Sequence, residues 1–136
     1  FTKGENVKYY GYGPYESYSD KHLCTYLDEF NTTVSDMYEP YIKPQENGSH
    51  FGTRYVETEN IRVSSDTPFS FSALHYTQEE LTEKKHNFEL EKCDDTVLCI
   101  DYKQNGIGQN SCGPLTQEEY RFDESEFEFK IRIEIK

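Results

Sequence analysis

The strongest period in the chain lies near its end, where Phe127, Phe129, Ile131, Ile133 and Ile135 alternate with Glu128, Lys130, Arg132 and Glu134. A period of two places all five apolar side chains on one face of an antiparallel strand, and that face needs another layer to cover it. Phe69, Phe71 and Ala73 set against Ser70, Ser72 and Leu74 predict a second strand, and Thr96 to Tyr102 predicts a third from its Val, Leu and Ile content. Weaker strand patterns run over Asn6 to Tyr10, Thr53 to Thr58, Ile61 to Ser64 and Asn87 to Glu91. One helix is predicted. Thr77-Gln-Glu-Glu80 reads as a capping box, with Thr77 accepting from the amide of Glu80 and Glu80 returning the bond, and the helix is expected to end near His86. Between Gly11 and Asn47 no period is sustained, and Pro14, Pro40 and Pro44 predict a long structured loop. The expected class is all-β and antiparallel, with one short helix near 78–86.

Composition agrees and narrows the functional classes. Twelve Tyr and nine Phe favour strands, and 136 residues suffice for one domain spanning residues 1–136. Fourteen basic residues against 26 acidic ones leave a net charge of −12, which repels phosphate backbones and anionic lipid, so neither nucleic acid nor a membrane surface is an expected partner. No apolar run approaches the roughly 20 residues that span a bilayer, and Phe1-Thr-Lys-Gly-Glu lacks a secretory apolar core, so the chain reads as soluble. Cys24, Cys93, Cys99 and Cys112 are separated by 69, 6 and 13 residues, match no zinc spacing and are expected as free thiols. Four scattered His add no ligand pattern; no metal is expected. The sequons at Asn31 and Asn47 are short enough to arise by chance.

Several side chains could carry chemistry. Two carboxyl groups held about 5 Å apart can act as an acid/base and a nucleophile. Glu46 or Glu16 with Asp20 would be the obvious pair on predicted loops. Cys112 with His75 or His50 would make a thiol nucleophile and base, but a Cys with a distant His has little specificity, and His75 falls on the face of Phe69, Phe71 and Ala73 as a hydrogen-bonded half-core residue. Arg54 is placed to hold the long loop through a forked bond to Glu46 or Asp36. The tyrosines clustered from Tyr9 to Tyr41 would stack on sugar or, more in keeping with their Gly and Pro neighbours, pin loops to a sandwich.

Residues 38–55, which contain Pro44-Gln45-Glu46-Asn47-Gly48 and Arg54, resemble the Y-x-x-Y-x-x-P-Q-E-N-G-x-x-x-x-x-R signature in the last domain of bacterial β-galactosidases. Three more segments resemble the same domain in the same order: Gly11-Tyr-Gly-Pro-Tyr-Glu-Ser-Tyr-Ser-Asp20, Ala73-Leu-His-Tyr-Thr-Gln-Glu-Glu-Leu81, and Ile100-Asp-Tyr-Lys-Gln-Asn-Gly-Ile-Gly-Gln-Asn-Ser-Cys-Gly-Pro114. The resemblance implies the C-terminal part of a supersandwich domain, a fold class shared with galactose mutarotase. It also implies catalytic glutamates in a separate barrel domain, so that Glu16, Asp20 and Glu46 fix loops and this chain alone is inactive. The implied partner is that barrel domain or a large subunit, with a galactoside as substrate of the complete enzyme. No cofactor is implied for this chain, and the expected compartment is the cytoplasm. In such enzymes the segment matching Gly106–Pro114 forms part of the sugar-binding wall, which makes Asn110, Ser111 and Cys112 the candidate substrate contacts. Many relatives carry Trp where Cys112 stands, and a thiol offers no comparable aromatic platform. Cys112 as a small buried apolar group in a Gly turn is the plainer reading. An incomplete sandwich would leave sheet edges free to pair, so a homodimer is also expected. The rival function is a free-standing carbohydrate-binding module.

Overall fold

The computed structural model describes residues 2–108 and 114–136. Among the described residues six strands, β1 (Asn6–Gly13), β2 (Tyr26–Thr33), β3 (His50–Glu57), β4 (Ile61–Leu74), β5 (Val97–Asp101) and β6 (Arg132–Ile135), form one antiparallel sheet. Its order is β2-β1-β3-β4-β5, and β6 also pairs with β4. The 14 residues of β4 are long enough for β5 to pair with Ser70–Leu74 and β6 with Ile61–Ser64. This mostly antiparallel sheet, with one short helix among the described residues, agrees with the all-β sandwich class.

Register explains where the core lies. Phe30 pairs with Tyr9, Tyr9 with Val56, Val56 with Val63 and Val63 with Ile133. Directly opposed residues share a face, so this row crosses five strands on one side of the sheet. Tyr9, His50 and Phe71 meet beside it with ring centroids 4.5–5.3 Å apart. Val34 and Met37, after β2, and Tyr76 and Leu81, around the helix α1 (Gln78–Glu83), pack into the same cluster. Leu81 is fully buried, so α1 is held by its apolar contact more than by its six-residue length.

Several expectations need correction. The segment from Gly11 to Asn47 is not all loop: β1 continues to Gly13, and β2 pairs with it over eight positions. Asp28, Glu29 and Asn31 obscure the period because β2 is an edge strand with its outer side in water. Asn87–Glu91 is not a strand; Asn87–Glu89 is a 3-10 turn, closed where the Glu89 carboxylate accepts from the amides of Lys85 and His86 at 3.0 and 2.9 Å. The capping box of α1 is half made. Thr77 accepts from the Glu80 amide at 3.1 Å, but the Glu80 carboxylate accepts from Glu91 N at 2.8 Å instead of returning the bond.

The alternating segment at the end forms a strand only over Arg132–Ile135. Phe127 and Phe129 instead turn to Tyr102, with centroids 4.8 and 5.6 Å away. Ile133 shares the face of Val63 yet stays 59% exposed, and Ile135 is 86% exposed. Only Ile133 and Ile135 keep the expected apolar face on the sheet, and the described residues cover little of it.

Candidate functional site

Three of the four quoted sequence segments, those of Glu16 and Asp20, of Glu46 to Gly48 and of Gln104 to Gly108, are tied together by side-chain bonds, and a buried carboxylate organises the meeting. Glu16, 4% exposed, accepts from Gly48 N at 2.8 Å, from Lys21 Nζ at 2.5 Å and from the Tyr41 hydroxyl. Burial works against the Lys21 ammonium, and the bonds to Glu16 and Tyr41 outweigh it, so its pKa stands above the ordinary lysine value. Gly48 has φ +69°, and a Cβ there would lie 2.5 Å from the Met37 carbonyl oxygen. Only glycine fits that backbone without strain.

The rest of the Pro-Gln-Glu-Asn-Gly motif fixes the same loop. Pro44 is buried and Gln45 exposed. Asn47, 1% exposed, accepts from Glu39 N at 3.0 Å and donates to the Gln45 carbonyl at 2.9 Å. Glu46 reaches across to Gln104, whose amide nitrogen donates to Glu46 Oε1 at 2.6 Å and to Asp101 Oδ2 at 2.9 Å. Burial pushes the Asp101 carboxyl above its usual range, against the Gln104 bond. Desolvation raises that of Glu46 as well, with the charges of Asp101 and Glu16 adding to it, although the outer edge of Glu46 reaches solvent. Two carboxylates sharing one amide donor suit a brace between loops.

Asp20 completes the arrangement. It sits in a turn closed by reciprocal backbone bonds between Tyr18 and Lys21 (2.9 and 3.0 Å), and its carboxylate accepts from Ile107 N at 3.1 Å and Gly108 N at 3.2 Å. Glu16, Asp20 and Glu46 thus each hold loop backbone or a loop side chain. Asn110, Ser111 and Cys112 lie outside the described residues. Arg54 does not meet Glu46 or Asp36; it donates to the Asp66 carbonyl and contacts no carboxylate among the described residues. Its strand, β3, lies beside β4, where the pairing shifts register on either side of Thr53, and Asp66 belongs to that neighbouring strand. His75 is a hydrogen-bonded residue as expected, with Nε2 at 2.5 Å from Glu5 Oε1 and its side chain 13% exposed. Cys24, Cys93 and Cys99 are free thiols.

Beside this brace opens a cleft of about 620 Å³. Tyr12 stacks on Phe51 with centroids 5.3 Å apart and His22 closes the group, while Tyr102 and Phe122 line the other wall. Of the earlier tyrosines, Tyr9 and Tyr18 are buried in packing, whereas Tyr15 and Tyr26 are exposed. Among the described residues, no group of three or more His, Cys, Asp and Glu is placed to hold a metal ion, and no helix is long and apolar enough to cross a membrane. Sequence reading missed Gln104 and Lys21; each lies within or between the quoted segments, but pairing across 20 to 58 residues leaves no local signal.

Comparison with known proteins gives the same assignment. The family described as beta galactosidase small chain matches residues 2–133. A beta-galactosidase of Actinobacillus pleuropneumoniae is 55% identical over 135 residues, covering 98% of this chain and 13% of the relative. One of Staphylococcus xylosus is 49% identical over 133 residues, covering 95% and 13%. One of Streptococcus thermophilus is 38% identical over 109 residues, covering 76% and 11%. The chain spans about an eighth of the length of these curated relatives and corresponds to one small region of much larger proteins. It belongs to the β-galactosidase small-chain family.

Proposed function

We propose that the chain is an accessory domain of a β-galactosidase, forming the C-terminal part of its terminal sandwich. In this reading, Asn110, Ser111 and Cys112 contribute to the wall of the galactoside pocket, and the domain buttresses the assembly. Hydrolysis of terminal β-galactosides such as lactose is then carried out by carboxylates of a barrel domain or large subunit. The observation that supports it most is the brace: Asp20, Glu46 and Asp101 hold the stem 104–108 that leads into those three residues. A stem tied at four points is held firmly against the segment of Asp20 and the loop of Glu46. Cys112 in place of an indole lowers the apolar contact available to the part of the substrate beyond galactose. The exposed side of Ile131, Ile133 and Ile135 is the surface offered to the rest of the enzyme. The test is to combine the purified chain with a matched catalytic chain and assay lactose and a chromogenic galactoside. Activity should require both, and activity indifferent to this chain defeats the proposal.

The aromatic cleft favours a second reading, a carbohydrate-binding module that acts without a barrel. The rings of Tyr12, Phe51 and Tyr102 would take the C–H faces of a pyranose. Calorimetric titration of the isolated chain separates the two. The accessory-domain reading expects no measurable heat with galactosides, while the module expects binding that Phe51→Ala removes.

A further inference from the structure

We propose that Asp20 is a positioning residue for the pocket-wall loop, acting through the backbone of Ile107 and Gly108 rather than by touching substrate. This rests on the accessory-domain reading above. Its basis is an unbroken chain of bonds from the sheet to the loop stem. Ser17 N donates to the Ser49 carbonyl at 2.7 Å and Ser17 Oγ accepts from Phe51 N at 2.9 Å, which pins the segment to β3. Glu16 and Lys21 lock the turn on either side of Asp20, through a 2.5 Å ion pair and the reciprocal Tyr18–Lys21 bonds. Asp20 is thus presented from a stiff support. Its two oxygens take one amide each, a forked charge-assisted contact that fixes both the position and the tilt of the stem.

The glycines of the stem fit this role. Gly106 has φ +37°, and a Cβ there would lie 2.1 Å from the Asp20 carboxyl carbon. At Gly108 a Cβ would stand 3.3 Å from Asp20 Oδ2. The carboxylate therefore sits directly against the backbone, in space that side chains at either position would take. Asp20→Asn replaces one acceptor oxygen with a donor, so only one amide can remain bonded.

The experiment uses the complete β-galactosidase that contains this region. Asp20→Asn should raise KM on the order of tenfold, with a smaller effect on kcat, since loose positioning of a binding wall acts first on substrate affinity. Gly106→Ala attacks the same clamp from the loop side and should reproduce the split if Asp20→Asn proves too unstable to purify. Hydrogen exchange should quicken in a peptide spanning 104–108 and stay unchanged over Phe69–Leu74. Combining Asp20→Asn with Cys112→Ala should give a KM effect smaller than the product of the two, because both act through one loop. If Cys112→Ala alters KM while Asp20→Asn and Gly106→Ala leave it unchanged, the clamp proposal falls and the pocket-wall reading stands. If all three are kinetically silent, the pocket-wall reading falls and takes this one with it.

Discussion

His50 shows how one buried side chain sets a pH limit. It is 2% exposed, lies between Tyr9 and Phe71, and bonds through Nδ1 to the Tyr12 carbonyl at 3.0 Å. Burial holds its pKa down to about 4 from the usual 6.5, outweighing the Tyr12 bond. The unfolded chain therefore binds the extra proton first. Stability is full above about pH 6.5 and falls through the window down to about 4, by roughly 3 kcal/mol for a shift of this size. The carboxylates of Glu5 and Glu57, lowered chiefly by bonds to His75 and Lys136, lose their contributions only below their ordinary value of 4.5. Above the ordinary carboxylate range His50 lowers stability as pH falls, while the raised carboxyls of Glu39, Glu46 and Asp101 act in the opposite sense, so His50→Gln should remove the histidine part of the slope in urea titrations. Glu16 makes a second case. Glu16→Ala leaves the Gly48 amide and Tyr41 hydroxyl without their acceptor and should cost about 3 kcal/mol, with the half-exposed Lys21 adding little. A urea midpoint unmoved by that change would show that water replaces the carboxylate.

At the scale of elements, the loop between β2 and β3 depends on one backbone position. Gly48→Ala puts a Cβ 2.5 Å from the Met37 carbonyl at φ +69°, so the turn must open. A loss of about 2 kcal/mol is expected in thermal or urea unfolding, and Gly108→Ala, with its nearest contact at 3.3 Å and no positive φ, should cost less. Such positions also mark what the sequence could and could not disclose. β4 and β5 were legible because their apolar runs are buried or nearly so, and α1 because Thr77 caps it. β2 was hidden: an edge strand keeps only Phe30 against the core, so no period survives. Asn87–Glu91 misled because its alternation of apolar and polar residues is served by a turn around Glu89. The brace was half legible. Motif spacing singled out Glu16, Asp20 and Glu46, but which groups they meet depends on strand order, and so does the bond of Arg54 to the Asp66 backbone carbonyl instead of to a carboxylate.

The whole molecule opposes charge to apolar surface. Ile133 and Ile135 extend the row of Val63 and Val56 onto an open face, while a net charge of −12 pushes copies of the chain apart. Which effect wins depends on salt. At about 0.01 M ionic strength the Debye length is about 30 Å, comparable with a domain's width, and repulsion reaches across a whole neighbour. At physiological salt it falls to about 8 Å, and the apolar stripe can meet its twin. The isolated chain should therefore sediment as a monomer in low salt and associate as salt rises, the reverse of an ion-paired dimer. Changing Ile133 and Ile135 together to Glu should keep it monomeric at every salt concentration with little loss of fold stability, since both side chains are more than half exposed. If that double variant associates as the parent does, the contact lies elsewhere, and the outer edge of β2 becomes the surface to alter next.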